Sequence, residues 1–137
     1  MFLDANVLFS GVLSQTGSPA RLIEAAVNAQ FTPVVSSVVL GEFVRNVAAK
    51  ESQLVSLVGY LLQSVPLEIA REGLSRDIAP WREANLGTDA PVVTAALLAE
   101  VDYLCTGDNG IHAKSDLLLA AGLKLIRPAE LLALLQT

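Results

Sequence analysis

This chain is short of cysteine, histidine, aromatic rings and positive charge. Each shortage narrows what it can be. Cys105 is the only cysteine, so no internal disulfide can form. It sits in the apolar stretch 102–106, where a thiol behaves as a small hydrophobe. Aromatic residues make up 5% of the chain, too few for a platform on which bases could stack. Trp81 and Tyr60 could each stack on a base, but Trp81 reads as a packing residue. Nine Lys and Arg face fourteen Asp and Glu, a net charge of −5, the reverse of the basic balance of a passive nucleic-acid binder. That balance weighs less against an enzyme whose acids are neutralised by a metal. Arg21, Arg45, Arg82 and Lys114 are scattered and read as solvated cations. No apolar run is long enough to cross a bilayer, since Glu42, Arg45, Gln53 and Gln63 break the longest ones. No repeat, linker or low-complexity segment interrupts the chain. Asp4 follows Met1, Phe2 and Leu3 at once, without a signal-peptide pattern, and the expected setting is the reducing cytoplasm.

What is present is hydrophobic. The chain is 53% hydrophobic over 137 residues, with mean hydropathy +0.52. That suits a single domain, 1–137, with a well-filled core and an apolar surface for another subunit. Residues 1–3 read as a strand ending in Asp4, and 5–16 as a turn region. Ser18 and Pro19 open a helix with Leu22, Ile23, Ala26 and Val27 on its apolar face. Residues 32–36 form a valine-rich strand, and Ser36 or Ser37 caps the helix that carries Glu42. From about Glu51, Leu54, Leu57, Val58, Leu61, Leu62 and Val65 recur at helical spacing, a stripe that serves as core or subunit seam. Residues 66–86 read as one helix or two, interrupted near Pro80. Thr88 caps a helix over 89–100, with Pro91 in its first turn. A strand over 102–106, a turn over 107–110, a helix over 115–121, a strand over 123–126 and a helix from Pro128 to Leu135 complete the pattern. Strands alternating with helices predict an α/β fold with a parallel sheet and right-handed crossovers.

Four carboxylates fall at the junctions of that pattern: Asp4, Glu42, Asp89 and Asp108. Asp4 ends the first strand, Asp108 follows the strand near Tyr103, Asp89 begins a helix and Glu42 lies about one turn into another. The carboxyl ends of parallel strands and the amino ends of the following helices share one edge, where α/β proteins bind ligands. Acids gathered there repel one another unless a cation holds them. Hard oxygen donors without a nearby thiolate or imidazole suit Mg²⁺ or Mn²⁺ and not zinc. Such a cation serves phosphodiester hydrolysis by water. Each acid also has a plainer role: Asp89 in the first turn of a helix, Asp108 in a turn before Asn109 and Gly110, and Glu42 paired with Arg45 or Asn46. Asp4 is the hardest to explain that way, because it breaks an apolar run. His112, just after the Asp108 turn, could touch substrate or donate a proton, or be a loop histidine without a role.

The opening Phe2-Leu3-Asp4-Ala5-Asn6-Val7-Leu8 resembles the start of a PIN domain. So do Thr88-Asp89 at the head of a helix and the run Asp102-Tyr103-Leu104-Cys105-Thr106-Gly107-Asp108. With Ser37 to Val44, which contains Glu42, these stand in the expected order and spacing over nearly the whole chain. The resemblance implies a three-layer α/β/α sandwich with a small, mainly parallel sheet, and a metal-dependent ribonuclease using Mg²⁺ or Mn²⁺. It implies Asp4, Glu42, Asp89 and Asp108 as the catalytic, metal-holding acids, with Asn6 orienting Asp4 and Thr106 supporting the Asp108 side. It also implies an RNA substrate, an antitoxin protein as partner, a homodimer, and the role of toxin in a VapC-like toxin–antitoxin pair. The chain departs from the pattern at Gly110, where many relatives carry a further acid, and at Pro91.

Two other readings compete. A haloacid-dehalogenase-type phosphatase also has an Asp ending its first strand and a late Gly-Asp turn, here Gly107-Asp108. Yet its general acid would be replaced by Asn6, and no lysine stands well before Gly107. A non-catalytic PIN-like module would bind a protein partner through its apolar helices and cleave nothing.

Overall fold

The computed structural model describes residues 1–14 and 16–136. Strand β1 (Phe2–Leu3) runs through Asp4 into helix α1 (Ala5–Leu13). The stretch expected as a turn is thus a helix. Asp4 caps it, its Oδ1 accepting from the Ala5 amide at 2.8 Å, and Ala5, Leu8 and Val12 recur at helical spacing on its buried side. Gln15 of that stretch, like Thr137, lies outside the described residues. Helix α2 (Ser18–Val27) begins after Gly17, so Ser18 is its first residue and not its cap, and Val27 lies 42% exposed. Strand β2 (Val34–Ser36) feeds α3 (Ser37–Lys50), whose cap is Ser36; its hydroxyl accepts from the Val39 amide at 3.3 Å. A 3₁₀ turn (Ser52–Leu54) leads into α4 (Val55–Ser64). Of the apolar stripe expected there, only Val58 is fully buried, while Leu57 is exposed and the others are half-buried.

The stretch 66–86 divides differently from the expectation. It holds strand β3 (Glu68–Ala70), then α5 (Ser75–Glu83), and Pro80 lies inside that helix without ending it. A 3₁₀ turn (Gly87–Asp89) precedes α6 (Ala90–Leu98); Asp89, and not Thr88, stands at the cap position, and its side chain makes no capping hydrogen bond. Then come β4 (Tyr103–Cys105), the short helix α7 (Asn109–His112), α8 (Ser115–Ala120), β5 (Lys124–Ile126) and α9 (Pro128–Leu135). No helix among the described residues is long and apolar enough to cross a membrane.

The five strands form one all-parallel sheet in the order β3-β2-β1-β4-β5. The chain moves outward from β1 to β3, then returns to place β4 on the other side of β1. Right-handed crossovers put α1 to α4 and α5 to α8 on opposite faces, giving the three-layer α/β/α sandwich, and α9, which follows the last strand, returns to the first face against α2. The packing agrees: α1 rests on α2 and α3, α4 on α3, and α9 on α2, whereas α5 rests on α6. The core is shared by both faces, with Phe2, Val35 and Leu104 fully buried on the central strands, and α6 buried through Ala90, Val92, Val93, Thr94, Ala95 and Ala96. A parallel sheet covered on both sides explains why the central strands read as unbroken apolar runs.

The crevice beyond the carboxyl ends of β1 and β4 is the point where the strand order reverses. Leu3 pairs with Cys105, Cys105 with Ile126, and Phe2 with Val34. Continuing those registers past the strand ends aligns Ser36, Asp4, Thr106 and Arg127 in one row. The row is closed by the Asp4 amide donating to the Cys105 carbonyl at 3.0 Å and the Thr106 amide donating to the Ile126 carbonyl at 3.1 Å.

Candidate active site

Asp4 occupies the centre of that polar row and is 7% exposed. Besides capping α1 through Oδ1, it accepts through Oδ2 from the Thr106 hydroxyl at 2.8 Å and from Asn6 Nδ2 at 3.4 Å. Thr106 is fully buried. Its one hydroxyl donates to Asp4 and accepts from Asn6 Nδ2 at 3.3 Å and from the Asp108 amide at 3.1 Å. Asn6 reaches the same loop from its other end, its Oδ1 accepting from the Gly107 amide at 3.3 Å. Asp108 caps α7 by accepting from the Ile111 amide through Oδ1 at 3.1 Å. Residues 102 positions apart are thus joined by one hydroxyl.

Asp89 and Glu42 approach this pair from helices. Asp89 is half-buried at the head of α6, and Glu42 is exposed on α3. Their closeness is felt as field. Burial, then the charges of Asp108, Asp4 and Glu42, push the Asp89 carboxyl up to about 6. Burial, then the Asp4 charge, raises Glu42, and Arg45 opposes the rise. Asp4 is raised by burial above all, with the Thr106 and Ala5 hydrogen bonds pulling down and the Asp108 charge pushing up. Asp4, Glu42 and Asp89 therefore each sense at least one other acid of the set. The four do not form a closed ligand set: among the described residues, no group of three or more His, Cys, Asp or Glu side chains stands in an arrangement that could hold a metal ion.

The donor chemistry on this edge suits a hard divalent cation. It consists of carboxylate oxygens, while the two softer groups nearby are otherwise engaged. Cys105 is buried beneath the row, its thiol pushed up to about 12 chiefly by burial. His112 is half-buried at the end of α7, and its Nε2 lies 2.8 Å from the Thr106 carbonyl. A carbonyl only accepts, so Nε2 carries the proton. Closing on one cation would need side-chain rotation at the helix-borne acids, since Asp4 and Asp108 are already fixed by their hydrogen bonds.

Two contacts have no counterpart in the sequence reading. Arg127, at the head of α9, donates from Nη1 to the Gly107 carbonyl at 3.4 Å and from Nη2 to Asn109 Oδ1 at 2.9 Å. Glu72, after β3, accepts through Oε1 from the Ser37 hydroxyl at 3.1 Å and the Val38 amide at 3.0 Å, steadying the helix that carries Glu42. The signal for Arg127 was its place one residue past an apolar strand, parallel to Thr106; nothing local marks Glu72. At position 110, where the pattern has an acid, a Cβ would stand 3.0 Å from Asp108 Oδ1, so a larger residue would crowd that carboxylate. Tyr60 is 68% exposed on α4, and Trp81 packs against the core.

A family model described as PIN domain matches residues 1–110. A comparison with curated proteins found no match.

Proposed function

Because the chain belongs to the PIN-domain family, whose members are generally nucleases and typically use divalent metal ions, we propose that it is a ribonuclease dependent on Mg²⁺ or Mn²⁺. The observation that carries the reading is the meeting of the Asp4 carboxylate and the Asp108 backbone amide on the Thr106 hydroxyl at the switch point, with Asp89 and Glu42 close enough to feel the acids' charge. In this reading Asp4, Asp108, Asp89 and Glu42 hold the cation. When bound, it supplies the positive charge that favours ionised water and steadies charge building on the phosphate. The chain's own residues do the rest. Thr106 and Asn6 aim Oδ2 of Asp4, the α7 amide of Ile111 aims Oδ1 of Asp108, and Asp89 is left free of capping duty.

The finer reading is a toxin of the VapC kind, acting in the cytoplasm as a homodimer and silenced by an antitoxin protein. Support comes from the apolar side chains left uncovered on α4 and α3: Val55, Leu57, Tyr60, Val38 and Val44. Light scattering on the purified protein tests the dimer, and co-purification with the product of a neighbouring reading frame tests the antitoxin.

The decisive experiment is cleavage of a mixed structured RNA by purified protein in Mg²⁺ and in Mn²⁺, with EDTA and Asp89→Asn as controls. Metal-dependent cutting lost in the variant supports the reading. A folded protein, free of antitoxin, that cuts in neither metal sinks it and favours the protein-binding module.

A further inference from the structure

The geometry points to Arg127 and His112 as positioning residues for Asp108. Both lie beyond residue 110, outside the segment matched by the family. Both hold the loop on which Asp108 sits. The His112 imidazole donates to the Thr106 carbonyl, and the Arg127 guanidinium grips the Gly107 carbonyl with one nitrogen and the Asn109 side chain with the other. Asp108 is thereby flanked: residues 106, 107 and 109 are each anchored by a side chain from farther along the chain. Its own amide and Oδ1 are held from within the loop, which leaves Oδ2 as the oxygen available to the acidic cluster.

Arg127 is suited to this by its backbone. It stands one residue past β5, level with Thr106 in the extended register, and its amide donates to Glu130 Oε1 at 3.0 Å in the capping box of α9. The arginine stem thus starts from a strand end and a helix start, both rigid. A planar guanidinium can hold two acceptors in one fixed orientation, which a lysine ammonium cannot. The sheet's last strand is therefore coupled to the acid contributed by its neighbour, β4.

The proposal rests on Asp108 serving the nuclease site, so its test has an arm that needs no cleavage. Amide hydrogen exchange over residues 107–111 is followed by NMR in wild type, Arg127→Ala, Arg127→Lys and His112→Ala, together with Mn²⁺ affinity by calorimetry and RNA cleavage. Arg127→Ala is expected to speed exchange of those amides and to lower Mn²⁺ affinity and kcat by about 10- to 100-fold, the usual cost of losing a partner that orients a ligand, with KM for RNA unchanged. Arg127→Lys should recover only part of this. Exchange at wild-type rates in both Arg127 variants overturns the proposal. So does a raised KM with unchanged kcat, which would make Arg127 a substrate contact. If Arg127→Ala fails to fold, Arg127→Lys and His112→Ala decide by the same criteria. Wild type that cuts no RNA counts against the nuclease reading alone, and the exchange arm still decides the clamp.

Discussion

The acids of this site come in two pairs held by different means. Asp4 and Asp108 sit at the ends of adjacent parallel strands and are tied by explicit hydrogen bonds, through Thr106, Asn6 and the helix amides they cap. Asp89 and Glu42 sit on helices; Asp89 caps nothing, and the two are linked to the first pair by field. Hydrogen bonds fix the orientation of the first two carboxylates, whereas the helix-borne pair has no such tie among the described residues. The first pair is thus built for position and the second for response. A site of the proposed kind, which would gather charge around a cation, gains from having both.

The comparison can be broken most sharply at Asp4. Asp4→Asn keeps the shape and a cap for α1 but sets an amide donor where Oδ2 accepts from Thr106 and Asn6, so the protein should fold with a lowered melting temperature. Metal-dependent RNA cleavage should fall by about 100-fold or more, exceeding the upper end of what an orienting partner costs. Normal activity in this variant would remove the strand pair from the mechanism. Next in size is Thr106→Val. It strips one hydroxyl from three partners in a fully buried place. Urea titration should show a loss of about 1–3 kcal/mol for the groups left unpaired, with activity reduced about 10- to 100-fold.

The responsive pair should behave in the opposite sense when metal is withheld. Asp89 is harder to ionise in the folded chain, at about 6, than its ordinary value of 3.8. Between those values the folded state binds more protons than the unfolded one, so stability falls as pH rises through the window and stays low above it. Asp89→Asn removes the burden. In EDTA at pH 7 the variant should be more stable by about 1 kcal/mol, after discounting for solvent screening, or about 3 °C in melting temperature. At about pH 2.5, where this carboxyl is protonated in both the folded and the unfolded wild type, the gain should vanish. Calorimetry at the two pH values measures this, and a gain that persists in acid would assign it to packing. Glu42→Gln should give a smaller gain of the same sign at pH 7, because Arg45 already offsets part of the repulsion. A gain as large as that of Asp89→Asn would show that Arg45 does nothing for Glu42.

Much of this architecture was legible in the sequence. The apolar runs of β2, β4 and β5 and the proline-led α9 declare themselves through composition. Three elements did not. In α1, Asn6, Ser10 and Gly11 suggest a turn, yet the cap at Asp4 and the spacing of Ala5, Leu8 and Val12 prevail. Strand β3 lies at the sheet edge with Glu68 and Ile69 exposed, so it has no hydrophobic signature. Pro80 suggests a break but is absorbed within α5. The four acids could be picked out because each stands at a junction or a turn of a helix. Thr106 and Asn6 entered as supports only through the family resemblance, and the part of Arg127 could not be read, because it meets the Asp108 loop through the pairing of β4 with β5, 20 positions away, which leaves no local trace.

Strand pairing also sets an order of assembly. β1 is the first strand of this sheet in chain order, and its place is in the middle, between β2 and β4. Its hydrogen bonds to β4 cannot form until residue 105 exists, and the anchors at 112 and 127 come later still. Loop-closure entropy makes such distant contacts slow to form. Asp4 therefore stays without the neighbours it meets in the fold until the chain has been made through Arg127.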